Sequence, residues 1–181
     1  MDDRQSDYER LIKPIEDRMM RCVWRVVRDP EAAEEAFQEA LLMVWKHWGK
    51  VQRHPNPHAL VLRICINSAY DMLRRNTRQQ KRQAADEIPE EVPDLTPSAY
   101  QCIADAEQNT EVFRAIAHLP RNQARAILMH VVGEIPYGEI AEAMDCREAT
   151  VRKHVARARA KLRIVLSHLI PSARKEESIH A

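Results

Sequence analysis

The stretch from Pro136 to Leu169, PYGEIAEAMDCREATVRKHVARARAKLRIVLSHL, constrains this chain more than any other. A short amphipathic segment, Tyr137 to Met144, meets a break at Asp145-Cys146, and a much longer helical pattern follows. In that pattern Val151, Val155, Ala158, Leu162, Val165 and Leu169 fall at helical spacing and are expected to form one apolar stripe. The rest of its surface carries Arg152, Lys153, His154, Arg157, Arg159, Lys161 and Arg163. Two helices joined by a tight turn, the second with a basic outer face, describe a helix-turn-helix unit whose second helix can enter a DNA major groove. Basic helix faces also occur as plain solvated surface, and tight helix pairs occur in proteins that never meet DNA. Between Arg147 and Arg163, however, seven Lys/Arg stand against a single acid, Glu148. An ordinary surface would carry opposite charges paired four residues apart, so the pattern favours nucleic acid.

Composition narrows the class. Only three Gly in 181 residues, few aromatics and abundant Ala, Leu, Arg and Glu predict an all-α chain. Its net charge of +1 is unevenly spread: residues 1–80 carry 14 basic and 12 acidic side chains, residues 81–111 carry 2 and 8, and residues 112–181 carry 12 and 7. Two locally basic halves around an acidic middle predict modules joined by a linker, with nucleic acid as partner. Cys22, Cys65, Cys102 and Cys146 are scattered and form no CxxC pair, which fits small buried residues in a reducing cytosol better than a disulfide framework; a redox role stays open. The N-terminus MDDRQSDYER has no signal-like apolar core, and no apolar run approaches the roughly 20 residues that span a bilayer. A soluble cytoplasmic protein without membrane insertion is expected.

Taken in order, the pattern predicts an amphipathic helix from Tyr8 to about Val27, kinked early by Pro14. Asp29-Pro30 reads as cap and first residue of a second helix running to about Trp48, with Ala33, Phe37, Ala40, Leu41, Val44 and Trp45 inward. Gly49 to Pro57 reads as a loop, and Asn56-Pro57 opens a third helix to about Thr77 with Leu60, Val61, Ile64, Cys65, Ala69, Met72 and Leu73 inward. The basic run Arg74, Arg75, Arg78, Lys81 and Arg82 at its end either complements the helix dipole or contacts phosphate. AADEIPEEVPDLTP, from Ala84, is acidic and proline-rich and reads as a partly extended linker. A helix from Ser98 to Leu119 follows, with Ile103, Ala106, Val112, Ile116 and Leu119 inward. A helix opened by Pro120 comes next, with Ala124, Ile127, Leu128 and Val131 inward and Gly133 past its end. The tail SARKEESIHA reads as frayed. No catalytic constellation, Gly-rich phosphate loop or cofactor motif is found. His54 and His58 are separated by two prolines and lack a third ligand, so no metal site is expected.

DPEAAEEAFQEALLMVWKHW, ALVLRICINSAYDMLRR and LPRNQARAILMHVVGEIPYGEIAEAMDCREATVRKHVARARAKLR together resemble the extracytoplasmic-function (ECF) sigma factors, initiation subunits of bacterial RNA polymerase in the sigma-70 family. The resemblance implies two small helical domains. These are a sigma-2 bundle of three or four helices over residues 1–82 and a sigma-4 helix-turn-helix domain over 107–172, with a linker at 83–106 and a tail at 173–181. It implies that Glu34, Glu35, Gln38 and Glu39 contact core RNA polymerase, whereas Phe37 belongs to the core by its stripe position. It implies promoter −10 contacts from His54, Asn56, Arg63, Asn67, Arg74, Arg75 and Arg78, with Asn67 at the position that lines a pocket for a flipped base. It implies −35 contacts from Arg147, Thr150, Arg152, Lys153, His154 and Arg157, Arg being able to read guanine through O6 and N7. The implied partners are core RNA polymerase, promoter DNA and an anti-sigma factor, with no cofactor, small-molecule substrate or catalytic site. The family's usual Trp-Leu pair opening the third helix is Ala59-Leu60 here, and its usual Gly in the helix-turn-helix turn is Asp145. A two-domain regulator that binds DNA without polymerase accounts equally for residues 107–169 but not for the first 80.

Overall fold

The computed structural model describes residues 3–86 and 109–169, and every regular element among them is a helix. The expected linker core, Ile103, Ala106, Cys102 and the tail lie outside the described residues. Chain order runs α1 (Asp3–Leu11), a 3-10 turn (Lys13–Ile15), α2 (Glu16–Val27), α3 (Pro30–Lys46), α4 (Trp48–Arg53) and α5 (Pro57–Asp86). Then come α6 (109–117), α7 (Arg121–Val131), α8 (Tyr137–Met144), α9 (Glu148–Val165) and a last 3-10 turn (Ser167–Leu169).

Local chemistry sets many of these ends. Pro14 has no amide to donate and splits the first amphipathic run into α1, the 3-10 turn and α2. Asp29 caps α3: its Oδ1 accepts from the Ala32 amide at 2.8 Å, and Pro30 occupies the first turn. The Asn56 Oδ1 accepts from the Ala59 amide at 3.0 Å and starts α5 in the same way.

Other expectations are corrected by packing. The Gly49–Pro57 loop opens with α4, whose Val51 is fully buried; six residues are too few to show a period. Trp45 is 39% exposed rather than inward, and lies between Tyr8, stacked on it at 5.9 Å, and Trp48, tilted against it at 4.8 Å. α5 continues to Asp86 and buries Leu62, Ile66 and Tyr70 besides the expected stripe, of which Ile64 is only half-buried, because α2 and α3 pack on one side of it and α7 and α8 on the other. Arg74, Arg75 and Arg78 therefore lie inside a continuing helix, where complementing a C-terminal dipole does not explain them. Val131 is exposed and Val132 is buried in its place. In α9, Val151, Val155 and Ala158 are buried as expected, but Val165 is exposed. The turn after it brings Leu166 inward instead.

Gly133 follows α7 as expected, although the left-handed residue is its neighbour Glu134, at φ 53°. The glycine is needed for close approach: a Cβ there would stand 2.7 Å from the Met129 carbonyl oxygen.

The buried side chains of both halves form one continuous cluster. A polar seam runs along it. The buried Tyr70 hydroxyl donates to the Leu119 carbonyl at 3.0 Å, and Arg121 pairs with Asp71 at 2.6 Å. Arg18 donates to the Gly133 carbonyl at 2.5 Å, and the buried Cys22 Sγ lies 3.8 Å from the Val132 carbonyl oxygen.

Candidate nucleic-acid interface

The helix-turn-helix is built by α8, a three-residue break and α9. Asp145 ends α8 in the left-handed conformation, at φ 53° and ψ 52°, a region Asp tolerates better than most residues. Its amide and that of Cys146 return to the open carbonyls of the last α8 turn, Cys146 N reaching Ala141 O at 3.0 Å. Ile140 and Ala143 from α8 and Val151 and Val155 from α9 are buried against each other's side of the unit. That fixes the opposite face of α9 outward. Arg147, Arg152, Lys153 and Arg157 are exposed on it, and Thr150 is half-buried. His154 is also half-buried, with Nδ1 enclosed and without a partner among the described residues.

Arg152 is the most constrained of these cations. Glu148 Oε1 accepts from its Nε at 2.8 Å and from its Nη2 at 2.5 Å. The guanidinium lies over the Tyr137 ring at 4.6 Å, and that ring stacks on His130 at 4.3 Å.

The expected −10 residues are less accessible. His54 Nδ1 sits 2.8 Å from the Asn56 carbonyl oxygen and 3.1 Å from its amide, closing the loop locally. Asn56 uses Oδ1 as a helix cap, and its Nδ2 donates to Glu139 Oε2 of α8 at 3.0 Å. Arg63 is half-buried in a cleft of ≈ 460 Å³ between this loop and α8, lined also by Lys50, Glu142, Asp145 and Cys146. Burial pulls its guanidinium below the ordinary arginine value, while Asp145 opposes the shift. Asn67 lines a second cleft of ≈ 430 Å³ with Glu39, Leu42, Met43, Asp71, Arg121 and Arg125. Its Oδ1 is enclosed and accepts from no donor among the described residues. Arg74 lies 5.7 Å over Tyr70 and faces a small cleft with Arg78 and His118.

On α3, the expected polymerase face is exposed but internally paired. Arg75 reaches Glu39 at 2.9 Å and Glu35 at 3.7 Å, and the bond to Glu39 raises its pKa. Gln38 donates to Glu34 at 3.4 Å. Exposed pairs of this kind are worth about 0–1 kcal/mol and open readily. Beside them Leu42 is 69% exposed. The free Cys22 and Cys65 thiols are both pushed upward chiefly by burial, as small core residues would be. No group of three metal-ligating side chains occurs among the described residues, and no described helix is long and apolar enough to cross a membrane.

Residues 11–79 match the family described as sigma-70 region 2, and residues 110–162 match sigma-70, region 4. The ECF RNA polymerase sigma factor SigE of Mycolicibacterium smegmatis is 26% identical over 161 residues, covering 88% of this chain and 62% of that protein. ECF sigma factor SigM of Mycobacterium tuberculosis is 26% identical over 162 residues, covering 90% of this chain and 78% of that one.

The chain belongs to the sigma-70 family.

The chain spans 35%, 40% and 62% of the lengths of the first three curated relatives. A solved Bartonella quintana sigma factor, RpoE, crystallised with the anti-sigma factor NepR, matches the fold with a TM-score of 0.52 at 20% identity, over 89% of this chain and 97% of that one. In this sigma-70 chain, region 2 runs from Leu11 at the end of α1 to Gln79 within α5, and region 4 spans α6 to α9 up to Leu162. The structure brings the region 4 cations together on one outward face, and sets the −10 candidates Asn56 and Arg63 against region 4 itself. The sequence reading missed Tyr137, Glu139, Arg121 and Arg125. The first follows directly on Pro136, and the two arginines stand four apart on α7, but which element they meet is decided only by packing.

Proposed function

We propose that this chain is an ECF sigma factor that binds core bacterial RNA polymerase in the cytoplasm and directs initiation at promoters with two dissimilar elements. The observation that carries this reading is the outward basic face of α9, which belongs to a chain that also carries region 2. α9 enters the −35 major groove, where Arg147, Arg152 and Arg157 offer donors to base edges or phosphates while Thr150, Lys153 and His154 set position. Asn67 and the arginines of α5 capture unstacked −10 bases, which draws the duplex toward its melted form. Glu34, Glu35, Gln38 and Glu39 dock on polymerase, exchanging the Arg75 pairs for intermolecular ones. The chain breaks no covalent bond; polymerase supplies the chemistry.

Asn56 and Arg63 are half-buried against α8, and their full engagement with the promoter separates the two halves. Held on polymerase, the separated halves act as a bivalent reader, and effective concentration replaces intrinsic affinity. The anti-sigma factor in the fold relative's crystal supports a protein inhibitor here, one that holds the halves in their unproductive arrangement. Run-off transcription with core polymerase and a promoter library tests the reading. Discrete new starts sharing two upstream elements support it. No transcripts, together with tight sequence-specific binding by the chain alone, would establish the stand-alone regulator instead.

A further inference from the structure

A surface arginine samples many rotamers, and fixing one costs up to about 2 kcal/mol of side-chain entropy when it meets a base. Arg152 is held before any DNA arrives. Its Nε and Nη2 both donate to Glu148 Oε1, at 2.8 and 2.5 Å, an exposed pair that biases the plane of the guanidinium without locking it. A Glu–Arg pair four residues apart would by itself be ordinary helix surface. What separates this one from surface decoration is a support from two other helices. The Tyr137 ring of α8 lies 4.6 Å beneath the guanidinium, and His130 of α7 backs that ring at 4.3 Å and an interplanar angle of 24°. His130 Nδ1 in turn lies 3.3 Å from the Ile135 carbonyl oxygen. Two of the five guanidinium N–H groups are spent on Glu148, which leaves three for a base edge.

We propose that Tyr137 and Glu148 are positioning residues that aim the Arg152 guanidinium, and so set base selectivity at the one −35 position Arg152 reads. The inference rests on the assignment of α9 to the −35 groove. The arrangement is suited to guanine, whose O6 and N7 accept from a guanidinium edge held in one plane. Neither Tyr137 nor Glu148 touches DNA in this role. Their effect is confined to the base opposite Arg152, with phosphate contacts elsewhere unchanged.

The test uses the holoenzyme of the full chain with core polymerase. The probe is a −35 duplex selected by that holoenzyme from a randomised library, then varied through all four bases at each position. R152A is expected to lose about 5- to 100-fold discrimination at one position. Y137A and E148Q are expected to lose about two- to fivefold at that same position, with the salt dependence of binding unchanged, and Y137F to retain it. Y137A added to R152A should cost no further discrimination. Loss of affinity by Y137A and E148Q that is equal for all four bases would overturn the positioning role while leaving α9 as the reader. Discrimination intact in R152A at every position would overturn the α9 assignment and the inference with it.

Discussion

The seam between the halves makes a measurable prediction through Tyr70. Its hydroxyl donates to the Leu119 carbonyl at 3.0 Å, and Tyr70 is fully buried. Tyr70→Phe preserves the ring and removes the donor. In the closed form the Leu119 carbonyl is then buried without a partner; in the separated form water satisfies it. A buried neutral group left unsatisfied costs about 1–3 kcal/mol, and the lower part of that range is used here. A shift of about 1–2 kcal/mol raises the separated population by a factor of about 5–30. Cys22 is the reporter already in place: it is buried, with its Sγ 3.8 Å from the Val132 carbonyl oxygen of the other half. Cys65 is the control, fully buried on α5 inside the first half. Alkylation with iodoacetamide, resolved by mass spectrometry, should show Cys22 labelled about 5–30 times faster in Y70F and Cys65 unchanged. Equal acceleration at both thiols would mean global unfolding, and no acceleration at Cys22 would refute separation along this seam.

Asn56 serves both as cap of α5 and as donor to Glu139. Asn56→Ala should therefore destabilise the fold by about 0.5–2 kcal/mol in urea, whereas Asn56→Ser keeps a capping oxygen and should lose only the link to α8, visible as faster Cys22 labelling at nearly unchanged stability. Gly133→Ala places a Cβ 2.7 Å from the Met129 carbonyl oxygen, so the α7–α8 turn must shift. A loss of about 1–3 kcal/mol in thermal or urea unfolding is expected, and a neutral result would show that the turn yields freely. Asn67→Ala removes an enclosed oxygen that accepts from no donor among the described residues, so stability should stay within about 0.5 kcal/mol of the parent. Permanganate footprinting should nonetheless show weaker −10 melting, and an equal loss of core polymerase binding would refute the assignment of Asn67 to the melted strand.

How much of this was legible before the fold was known depended on distance along the chain. The caps at Asp29 and Asn56, the break at Pro14 and the turn at Asp145 are made by groups within a few residues of each other, and short-range stereochemistry determines them. The same holds for the helix-turn-helix: Val151, Val155 and Ala158 point inward because spacing on one helix requires it, and the cations between them are left outside. Trp45, Val131 and Val165 show where that reasoning ends. Each sits at an apolar position of its helix, yet whether a neighbour covers that position depends on elements far away in sequence.

α5 is the clearest case. One apolar stripe was expected, but Leu62, Ile66 and Tyr70 are buried as well, because two pairs of helices sandwich it. A period reveals a single buried face; it carries no information on a helix enclosed from several sides. The candidate site divides along the same line. Which side chains could read DNA was set by residue type and helical spacing in the sequence alone. Which of them are free to do so, Arg152 aimed over Tyr137 and Asn56 and Arg63 shut against α8, was decided by tertiary packing, since an exposed side chain's partners come from whatever surface the fold lays beside it.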